Sequence, residues 1–555
     1  MQVLSRVGTT TRMRLDQVSD QWWKDAVVYC VDVRAFLDTD GDGIGDLNGV
    51  TQRLDHLAEL GITCLWLMPF QPSPCRDGGY DISDYYAVDP RLGSLGDFVE
   101  LVRAAGERGI KVISDLVVNH TSDEHAWFRE ARSSPDSPTR HWYVWRDEPS
   151  DEPKGLFFPG TETSNWAKDD PTGQYYLHRF HHFEPDLDTA NPEVRDEIAR
   201  IVGFWLALGV AGFRIDAVPA MLETAGLPER IANDPKEWLR NLRAFVSRRR
   251  GDAMLLGEVN VDPQQLAQYF GDHGDLLHLE FAFLLNQSVW LALARGKADA
   301  LETIVRMLPQ VPHDSGWATF LRNHDELTLD KLNVSQQQEV FAAFAPDGDM
   351  RLYGHGIRRR VAPMLDGDPD RLRLAWSLAF SLPGTPVLLY GDEIGLGDNL
   401  AIDDRFAVRV PMQWSAERHG GFTTADEPWR PLAGRPFGPE RVNVASQRRD
   451  PDSLLRWMRR LIWSRRTRPQ LGWGSVTLID TPAPSIFAHR ADWEGGTVVA
   501  VHNLAEEPAA VTLELGDDVS GVQDALGARQ LEPPKDGRLD LELGRYGYLW
   551  LDLVR

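Results

Sequence analysis

The chain has 555 residues, which is too long for a single hydrophobic core and predicts a division into several domains or subdomains. Its formal net charge of −24 argues against a nucleic-acid or anionic-membrane partner and favours a neutral or cationic ligand. No apolar run approaches the roughly 18 residues of a membrane span, and Met1 to Leu15 contains no apolar core of a secretory signal. The sparse cysteines, Cys30, Cys64 and Cys75, are typical of reduced thiols, so we expect a cytoplasmic protein.

Eight apolar, strand-like runs follow one another along the chain, and amphipathic helical stretches separate most of them. The runs are Val27 to Val33, Ile62 to Met68, Lys111 to Val117, Gly212 to Ala217, Met254 to Val259, His278 to Phe283, Ala318 to Asp325 and Pro386 to Tyr390. Near-continuous apolar strands between helices indicate a parallel sheet that is buried on both faces. The sequence therefore predicts an α/β fold of the (β/α)8 TIM-barrel type, with a site at the carboxyl ends of its strands.

Two long connections and a change of pattern divide the chain further. About ninety residues separate the third run from the fourth, so residues 121–191 are predicted to form an inserted subdomain. A second excursion, Asp330 to Asp370, follows the seventh run and is expected to supply a wall or lid. From about Leu471 short alternating segments predict a C-terminal antiparallel β-sandwich over residues 471–555, which leaves 1–120 and 192–470 for the barrel.

Three carboxylates and one arginine lie at the ends of predicted strands. Asp216 ends the fourth run, and Arg214 faces the same side because strand side chains alternate, so its guanidinium should keep Asp216 ionised. Glu258 ends the fifth run in an apolar setting, which raises a carboxyl pKa and suits a general acid. Asp325 ends the seventh run. Each residue alone is also typical of a structural ion pair, but together they are the groups that retaining cleavage of a glycosidic bond requires.

Two histidines extend this polar set. His120, beside Asn119, ends the third run, and His324 precedes Asp325. An isolated histidine is more often structural than functional, and here the neighbouring acids favour contact with the hydroxyls of a sugar ring.

Several short motifs lie in one order over residues 22–420. They are GYDISDY at 79–85, DLVVNH at 115–120, EPDLD at 184–188, GFRIDAV at 212–218, GEV at 257–259, RNHDE at 322–326 and VPMQW at 410–414. In this order they resemble glycoside hydrolase family 13, the α-amylase superfamily. Longer segments resemble the trehalose synthase and α-glucosidase-like members within it, among them WWKDAVVY at 22–29, PSPCRDGGYDISDYYAV at 72–88, LRNHDELTL at 321–329 and GIRRRVAPML at 356–365. The C-terminal β domain resembles that family too.

The resemblance implies a retaining enzyme that cleaves and transfers glucosyl units of short α-glucosides, of the maltose or trehalose type, through a covalent glucosyl-aspartate. Asp216 would be the nucleophile, Glu258 the acid/base and Asp325 the stabiliser of the transition state. Six residues would line the subsite of the glucosyl unit: Tyr80, Asp81, His120, Arg214, His324 and Arg409. Asp81 and Arg409 would form a carboxylate–guanidinium clamp on its terminal hydroxyls.

The acceptor side departs from the trehalose synthase pattern. Val259 to Pro263 follows the acid/base in place of the usual residues, the segment Leu279 to Asn286 differs, and Val410 replaces a threonine. A plain α-glucosidase and a transglucosidase to another acceptor therefore stay open. An inactive binding protein of the same family is a further alternative, against which the complete set of carboxylates argues. No phosphate-binding glycine motif supports a nucleotide-dependent enzyme, and a homodimer is expected although the sequence does not fix the oligomeric state.

Oxygen-rich segments predict structural Ca²⁺, and no organic cofactor is expected. Asp38, Asp40, Asp42, the Ile44 carbonyl and Asp46 follow an EF-hand-like spacing without its last ligand and resemble a calcium site of the family. The alternative is a solvated Asp-Gly turn. The resemblance implies a second calcium site, whose ligands would be Asn119, Asp186, Glu223 and the carbonyls of Ala220 and Met221.

Overall fold

Eight parallel strands close into a barrel in which every strand pairs with its neighbours in chain order. We number them β1 (Val28–Val31), β2 (Cys64–Leu67), β3 (Lys111–Leu116), β4 (Gly212–Ile215), β5 (Met254–Gly257), β6 (Leu279–Phe281), β7 (Gly316–Phe320) and β8 (Thr385–Leu389). The computed structural model describes residues 19–149, 156–222, 235–527 and 531–555. The predicted (β/α)8 fold is confirmed, and Met1 to Leu15 lies outside the described residues.

Helices connect consecutive strands of the barrel. The longest of these are Leu95–Glu107, Pro192–Ala207, Pro235–Arg249, Phe283–Arg295, Val334–Phe344 and Pro369–Ser381, and a further long helix, Leu454–Arg466, follows β8. Local sequence sets where they begin: Asn191 caps the helix Pro192–Ala207 with its side chain and is followed by proline, which is favoured in a first turn. Strands β1, β2, β4, β5 and β6 are buried throughout, which explains their continuous apolar runs.

The chain leaves the barrel after β3 and returns at Pro192. This insert contains the helix Ala126–Ala131 and a small antiparallel sheet of Trp145–Arg146, Trp166–Lys168 and Tyr175–Leu177. A second small sheet follows β7 and joins Leu327–Thr328, Arg351–Leu352 and Gly356–Ile357. Both excursions rise from the carboxyl ends of barrel strands, so they stand beside the expected site.

The C-terminal strands form two antiparallel sheets. The first joins β9 (Ser475–Leu478), β10 (Ile486–Trp493), β11 (Gly496–Asn503), β15 (Tyr548–Val554) and β13 (Gly521–Asp524), and the second joins β12 (Ala509–Glu514) with β14 (Arg538–Leu543). A separate apolar cluster lies between them, with Leu513 and Leu551 fully buried. In the part of the chain that the structure describes, no helix has the length and apolar character to cross a bilayer.

The ends of two predicted strands differ from the observed ones. Strand β7 ends at Phe320, so Asp325 lies in the loop beyond it, where the Arg322 side chain donates to the carbonyls of Asn323 and Asp325. Strand β3 ends at Leu116, and His120 instead forms an isolated bridge with Asp186 of the insert. Apolar residues continue past both strands into loops, which is why the sequence pattern overran them.

Candidate active site

A cavity of about 390 Å³ opens at the carboxyl ends of the barrel strands. Asp216, Glu258 and Asp325 line its floor, and Phe158 and Phe180 of the insert line a wall. Its size falls in the lower part of the range of about 300–1,000 Å³ that is usual for small-molecule sites. The structure thus brings together the three carboxylates that the sequence placed at separate strand ends.

Arg214 on β4 joins three of the acids at the centre of the barrel. It donates to Asp216 Oδ1 at 2.6 Å, to Glu258 Oε2 at 2.8 Å and to Asp115 Oδ1 at 2.6 Å. Only 1% of Arg214 is exposed, so it lies beneath the cavity and acts through its neighbours. Ala217 adopts a left-handed φ of 43° and its N–H donates to Glu258 Oε2 at 3.1 Å, a contact that the sequence pattern did not reveal.

Burial separates the protonation behaviour of the two central acids. It raises the pKa of Asp216 to about 6, against the opposing effect of Arg214. It raises the pKa of Glu258 to about 7, because the charges of Asp216 and Asp325 add to burial and Arg214 only partly offsets them. Near neutral pH, therefore, Asp216 is mainly ionised while a large fraction of Glu258 carries a proton.

Asp325 has the opposite character. Its Oδ1 accepts from Arg409 at 2.7 Å and lies 3.3 Å from Arg405 Nε, and its Oδ2 lies 3.0 Å from His324 Nε2. Burial alone would raise its pKa, but His324, Arg405 and Arg409 together hold the pKa well below the usual range. Asp325 therefore places a permanent negative charge in the cavity.

Tyr80 and His324 form a stacked pair beside this charge. Their rings lie 5.5 Å apart and nearly parallel, and Tyr80 Oη is 2.6 Å from His324 Nε2. Tyr80 lines the cavity, whereas His324 is fully buried behind it. His120 also lines the cavity, with Nε2 3.7 Å from Glu184 Oε1, and burial lowers its pKa to about 4, so the imidazole is neutral.

The predicted clamp between Asp81 and Arg409 is wrong. Asp81 is fully buried and accepts from Ser73 Oγ at 2.7 Å and from the Arg76 N–H at 3.1 Å, while Arg409 contacts Asp325. The ion pair that lines the cavity joins Arg405 to Asp77.

A glycine turn explains why Asp77, and not Asp81, lines the cavity. Gly78 and Gly79 have φ values of 60° and 102°, which place Asp77 before the turn and Asp81 beyond it. Asp77 lies two residues before the motif at 79–85, and Arg405 lies four residues before Arg409, so both were within reach of the pattern. The structure also adds Glu326, Asn260 and Asp330 to the lining of the cavity.

The loop after β1 gathers acids in the way predicted for calcium. Carboxylate oxygens of Asp38, Asp40 and Asp42, which we call the loop cluster, lie within 4.8 Å of one another. Backbone amides hold all three, since Gly41 donates to Asp38 at 2.7 Å, Asp42 donates to Asp40 at 3.2 Å and Ile44 donates to Asp42 at 2.7 Å. None of the ion pairs found between described residues neutralises this cluster.

Asp46 has a different local role from the rest of the loop. Its carboxylate caps the helix Leu47–Gln52 by accepting from the Gly49 N–H at 2.7 Å, and it also accepts from the Thr39 N–H at 2.7 Å. It fixes the base of the loop, and the three other carboxylates converge above it.

The predicted second calcium site is filled by an arginine. Nη1 of Arg179 lies 3.2 Å from Asn119 Oδ1, 3.1 Å from Asp186 Oδ2 and 2.6 Å from the Ala220 carbonyl. The Met221 carbonyl accepts from Thr189 Oγ1 at 2.6 Å, and Glu223 lies outside the described residues. A calcium ion would need these same oxygens at about 2.3–2.6 Å. The residues present therefore do not fit a metal ion here.

Comparison with known proteins agrees with this geometry. The profile of the α-amylase catalytic domain matches residues 31–340 and 352–474, and a sucrose hydrolase-like C-terminal domain matches residues 495–552. A trehalose synthase of Thermus thermophilus is 43% identical over 541 residues, which are 95% of this chain and 55% of that protein. The trehalose synthase/amylase TreS of Mycobacterium tuberculosis is 41% identical over 96% of this chain and 90% of its own length.

A solved structure extends the likeness to the whole fold. The crystal structure of an α-amylase from H.orenii has a TM-score of 0.78, with 28% identity, 96% of this chain covered and 100% of that chain covered. The chain spans about half the length of the Thermus relative. On the motifs, the barrel and the family match together, the chain belongs to the α-amylase superfamily, glycoside hydrolase family 13, and is an enzyme of the α-glucosidase and transglucosidase type.

Proposed function

We propose that the protein is a trehalose synthase-like retaining transglucosidase, which cleaves and transfers glucosyl units of short α-glucosides of the maltose or trehalose type. The observation that carries this proposal is that one guanidinium, Arg214, holds both Asp216 and Glu258. Two carboxylates that share one guanidinium are close together, which favours the separation of about 5–5.5 Å of a retaining pair over the about 6.5–9.5 Å of an inverting pair.

The two acids divide the chemistry according to their charge. Asp216, mainly ionised, attacks the anomeric carbon and forms the glucosyl-aspartate, while Glu258 gives its proton to the departing oxygen. Glu258, now ionised, then takes a proton from the incoming hydroxyl, which displaces Asp216 with a second inversion. The fixed negative charge of Asp325 stabilises the oxocarbenium character of both transition states.

The shape of the cavity and the relatives support transfer over release of glucose. The cavity is small, and it is bounded on the insert side by Phe157, Phe158 and Phe180. Such a wall excludes water and keeps a freed sugar near the glucosyl-enzyme. Of two relatives with about 40% identity, one is a trehalose synthase and the other a trehalose synthase/amylase by name.

The acceptor-side departures have a defined place in the structure. Asn260 lines the cavity and its Nδ2 lies 3.2 Å from Asp330 Oδ2, while Gln287 Nε2 donates to Asp330 Oδ1 at 3.0 Å. This contact ties the segment after β5 to the excursion after β7. An α-glucosidase or a transglucosidase to another acceptor would differ from a trehalose synthase in how this wall orients the incoming hydroxyl of water or of the acceptor.

Product analysis separates these activities. The purified protein is incubated with maltose, trehalose, sucrose or p-nitrophenyl α-glucoside, and all products are resolved by chromatography. We expect maltose and trehalose to interconvert with little free glucose. Glucose as the main product from both disaccharides would identify a hydrolase instead, and no turnover of any substrate would support the inactive binding protein.

We also propose that the loop cluster binds one structural Ca²⁺. Three converging carboxylates are the oxygen donors that calcium prefers, and the ion would neutralise charges that no arginine or lysine of the described chain pairs with. Asp38, Asp40 and Asp42 would hold the ion, and the ion would stabilise the loop between β1 and the helix Leu47–Gln52. It takes no part in the reaction, which the carboxylates of the cavity perform.

The location and assembly are further proposals. Three free cysteines, of which Cys30 and Cys64 are buried, support a reducing cytoplasmic setting. A homodimer is also proposed, and light scattering on the purified full chain measures it: a mass of about twice 62.6 kDa is expected.

A further inference from the structure

Arg179 occupies the meeting point of the insert and the barrel. Its Nη1 atom reaches three oxygens on three different segments: Asn119 after β3, Asp186 in the insert and the Ala220 carbonyl after β4. We call these groups the junction cluster. Only 9% of Arg179 is exposed and only 1% each of Asn119 and Asp186, so the charge pair is shielded from water.

We propose that the guanidinium of Arg179 is a built-in cation that takes the place of a divalent metal ion at this junction and thereby positions His120 in the glucosyl subsite. The second clause rests on the proposed function. A metal ion and the guanidinium would need the same oxygens at the same place, so the two exclude each other. The chain supplies the positive charge covalently, and the junction needs no ion from solution.

The geometry links Arg179 to His120 through one residue. Asn119 accepts from Arg179 through Oδ1, and its Nδ2 is therefore turned toward Asp186 Oδ1 at 3.1 Å and toward His120 Nδ1 at 3.4 Å. With an N–H aimed at Nδ1, the proton of the neutral imidazole lies on Nε2, which is 3.7 Å from Glu184 Oε1. The backbone bridge between His120 and Asp186 adds a second connection.

Arg179 is thus a positioning residue, which sets the orientation and tautomer of a group that touches the sugar. In metal sites, loss of a partner that orients a histidine ligand typically costs about tenfold to a hundredfold, and we expect the lower end of that range for this histidine. Because His120 would contact the glucosyl unit before and during the reaction, the loss should appear in KM more than in kcat. A residue that only stabilises the fold would lower the fraction of active enzyme and leave KM unchanged.

The geometry of these three contacts makes a sharp test possible. The oxygens of Asn119, Asp186 and Ala220 all meet Nη1, so a lysine ammonium with three donors can reach the same oxygens. Removal of the side chain should instead leave Asn119, Asp186 and the Ala220 carbonyl as an oxygen site that accepts Ca²⁺.

The experiment uses the full chain with Asp42→Asn as background, so that calcium at the loop cluster does not interfere. We compare that background with added Arg179→Ala and with added Arg179→Lys, with and without CaCl₂. Readouts are calcium binding by calorimetry, thermal unfolding, and kcat and KM for maltose and trehalose. For Arg179→Ala we expect KM to rise about tenfold with kcat within about twofold, a lower Tm, and recovery of both KM and Tm when one Ca²⁺ binds per chain.

The controls have defined outcomes. The background should bind no Ca²⁺ and show no response, and Arg179→Lys should keep KM within about threefold without calcium. A background that binds Ca²⁺ with a change in KM would overturn the inference, as would an Arg179→Ala variant with unchanged KM and Tm.

If Arg179→Ala does not fold, a folded Arg179→Lys variant decides: an unchanged KM supports the inference and a tenfold rise contradicts it. Should the parent enzyme act on no α-glucoside, the proposed function fails, whereas calorimetry and Tm still test the replacement of the metal.

Discussion

The loop cluster and the junction cluster are both groups of oxygens beside barrel strands, although Asp40 and Asp42 of the loop are exposed and the junction is buried. At the junction, Asp186 and its neighbours surround the guanidinium of Arg179. In the loop, Asp38, Asp40 and Asp42 face one another with no described cation. Calcium was predicted at both places for the same reason, because oxygen-bearing residues stand at the positions of the family's calcium ligands.

Whether such a group of oxygens binds calcium depends on a residue outside the ligand set. Arg179 lies seven residues before Asp186 in the chain and belongs to none of the ligand positions. The cavity resembles the junction, because arginines supply the positive charge at both places: Arg214 and Arg405 neutralise the acids of the cavity. Acids that have an arginine are thus expected to work without metal, and acids that lack one are expected to recruit an ion.

The largest effect should come from the nucleophile, which separates the cavity acids from the loop acids. Asp216→Asn removes the attacking oxygen but keeps the size of the side chain, so we expect kcat on maltose and on trehalose to fall by about 10⁴-fold or more. Asp42→Asn is the matched control. When Ca²⁺ is removed from this variant and from the parent enzyme, the kcat of Asp42→Asn should lie within about twofold of the parent value. Steady-state kinetics with circular dichroism measure both. An Asp216→Asn variant that keeps a tenth of the activity would remove Asp216 from its role.

A smaller loss should follow when a cavity acid loses its arginine. Arg405→Ala leaves Asp77 without its partner and weakens the hold on Asp325, so we expect kcat/KM to fall by about 10²–10³-fold. Arg418, an exposed arginine that pairs with the exposed Asp426, provides the control, since an exposed pair contributes little. If Arg418→Ala and Arg405→Ala behaved alike, arginine would not be what distinguishes the cavity from the surface.

The pH dependence should show two limbs that belong to the cavity alone. Asp216 must be ionised, and its raised pKa of about 6 means that activity falls as pH drops below about 6. Glu258 must be protonated in the free enzyme, and its pKa of about 7 means that activity falls as pH rises above about 7. We expect kcat/KM to be bell-shaped with its maximum near 6.5, the limbs being properties of the coupled pair. Asp42→Asn should leave both limbs in place, and a flat profile from pH 5 to 8 would contradict the assignment.

The barrel was predictable because strand burial is written into continuous apolar runs, and the motifs placed Asp216 and Glu258 directly after β4 and β5. Side-chain partners were less predictable. Asp77 and Arg405 lie 328 residues apart and meet only through closure of the barrel. Spacing alone could not tell whether Asp77 or Asp81 faces the cavity, because the intervening Gly78-Gly79 turn decides it. Arg179 was missed for a similar reason, since a ligand pattern does not show what fills the space between its members.

Removal of calcium should give the smallest effect, and it tests directly whether the loop cluster holds an ion. Without an ion, three carboxylates within 4.8 Å repel one another, so a chelator should lower the Tm of the parent by about 2–4 °C. Because the loop cluster is outside the cavity, kcat/KM at 25 °C should change by less than about twofold. Asp42→Asn removes one of the three charges and should abolish the response of Tm to both chelator and added Ca²⁺. If Tm did not respond in the parent, backbone amides such as those of Gly41 and Ile44 would be sufficient to hold these carboxylates, and acids without an arginine would not require a metal.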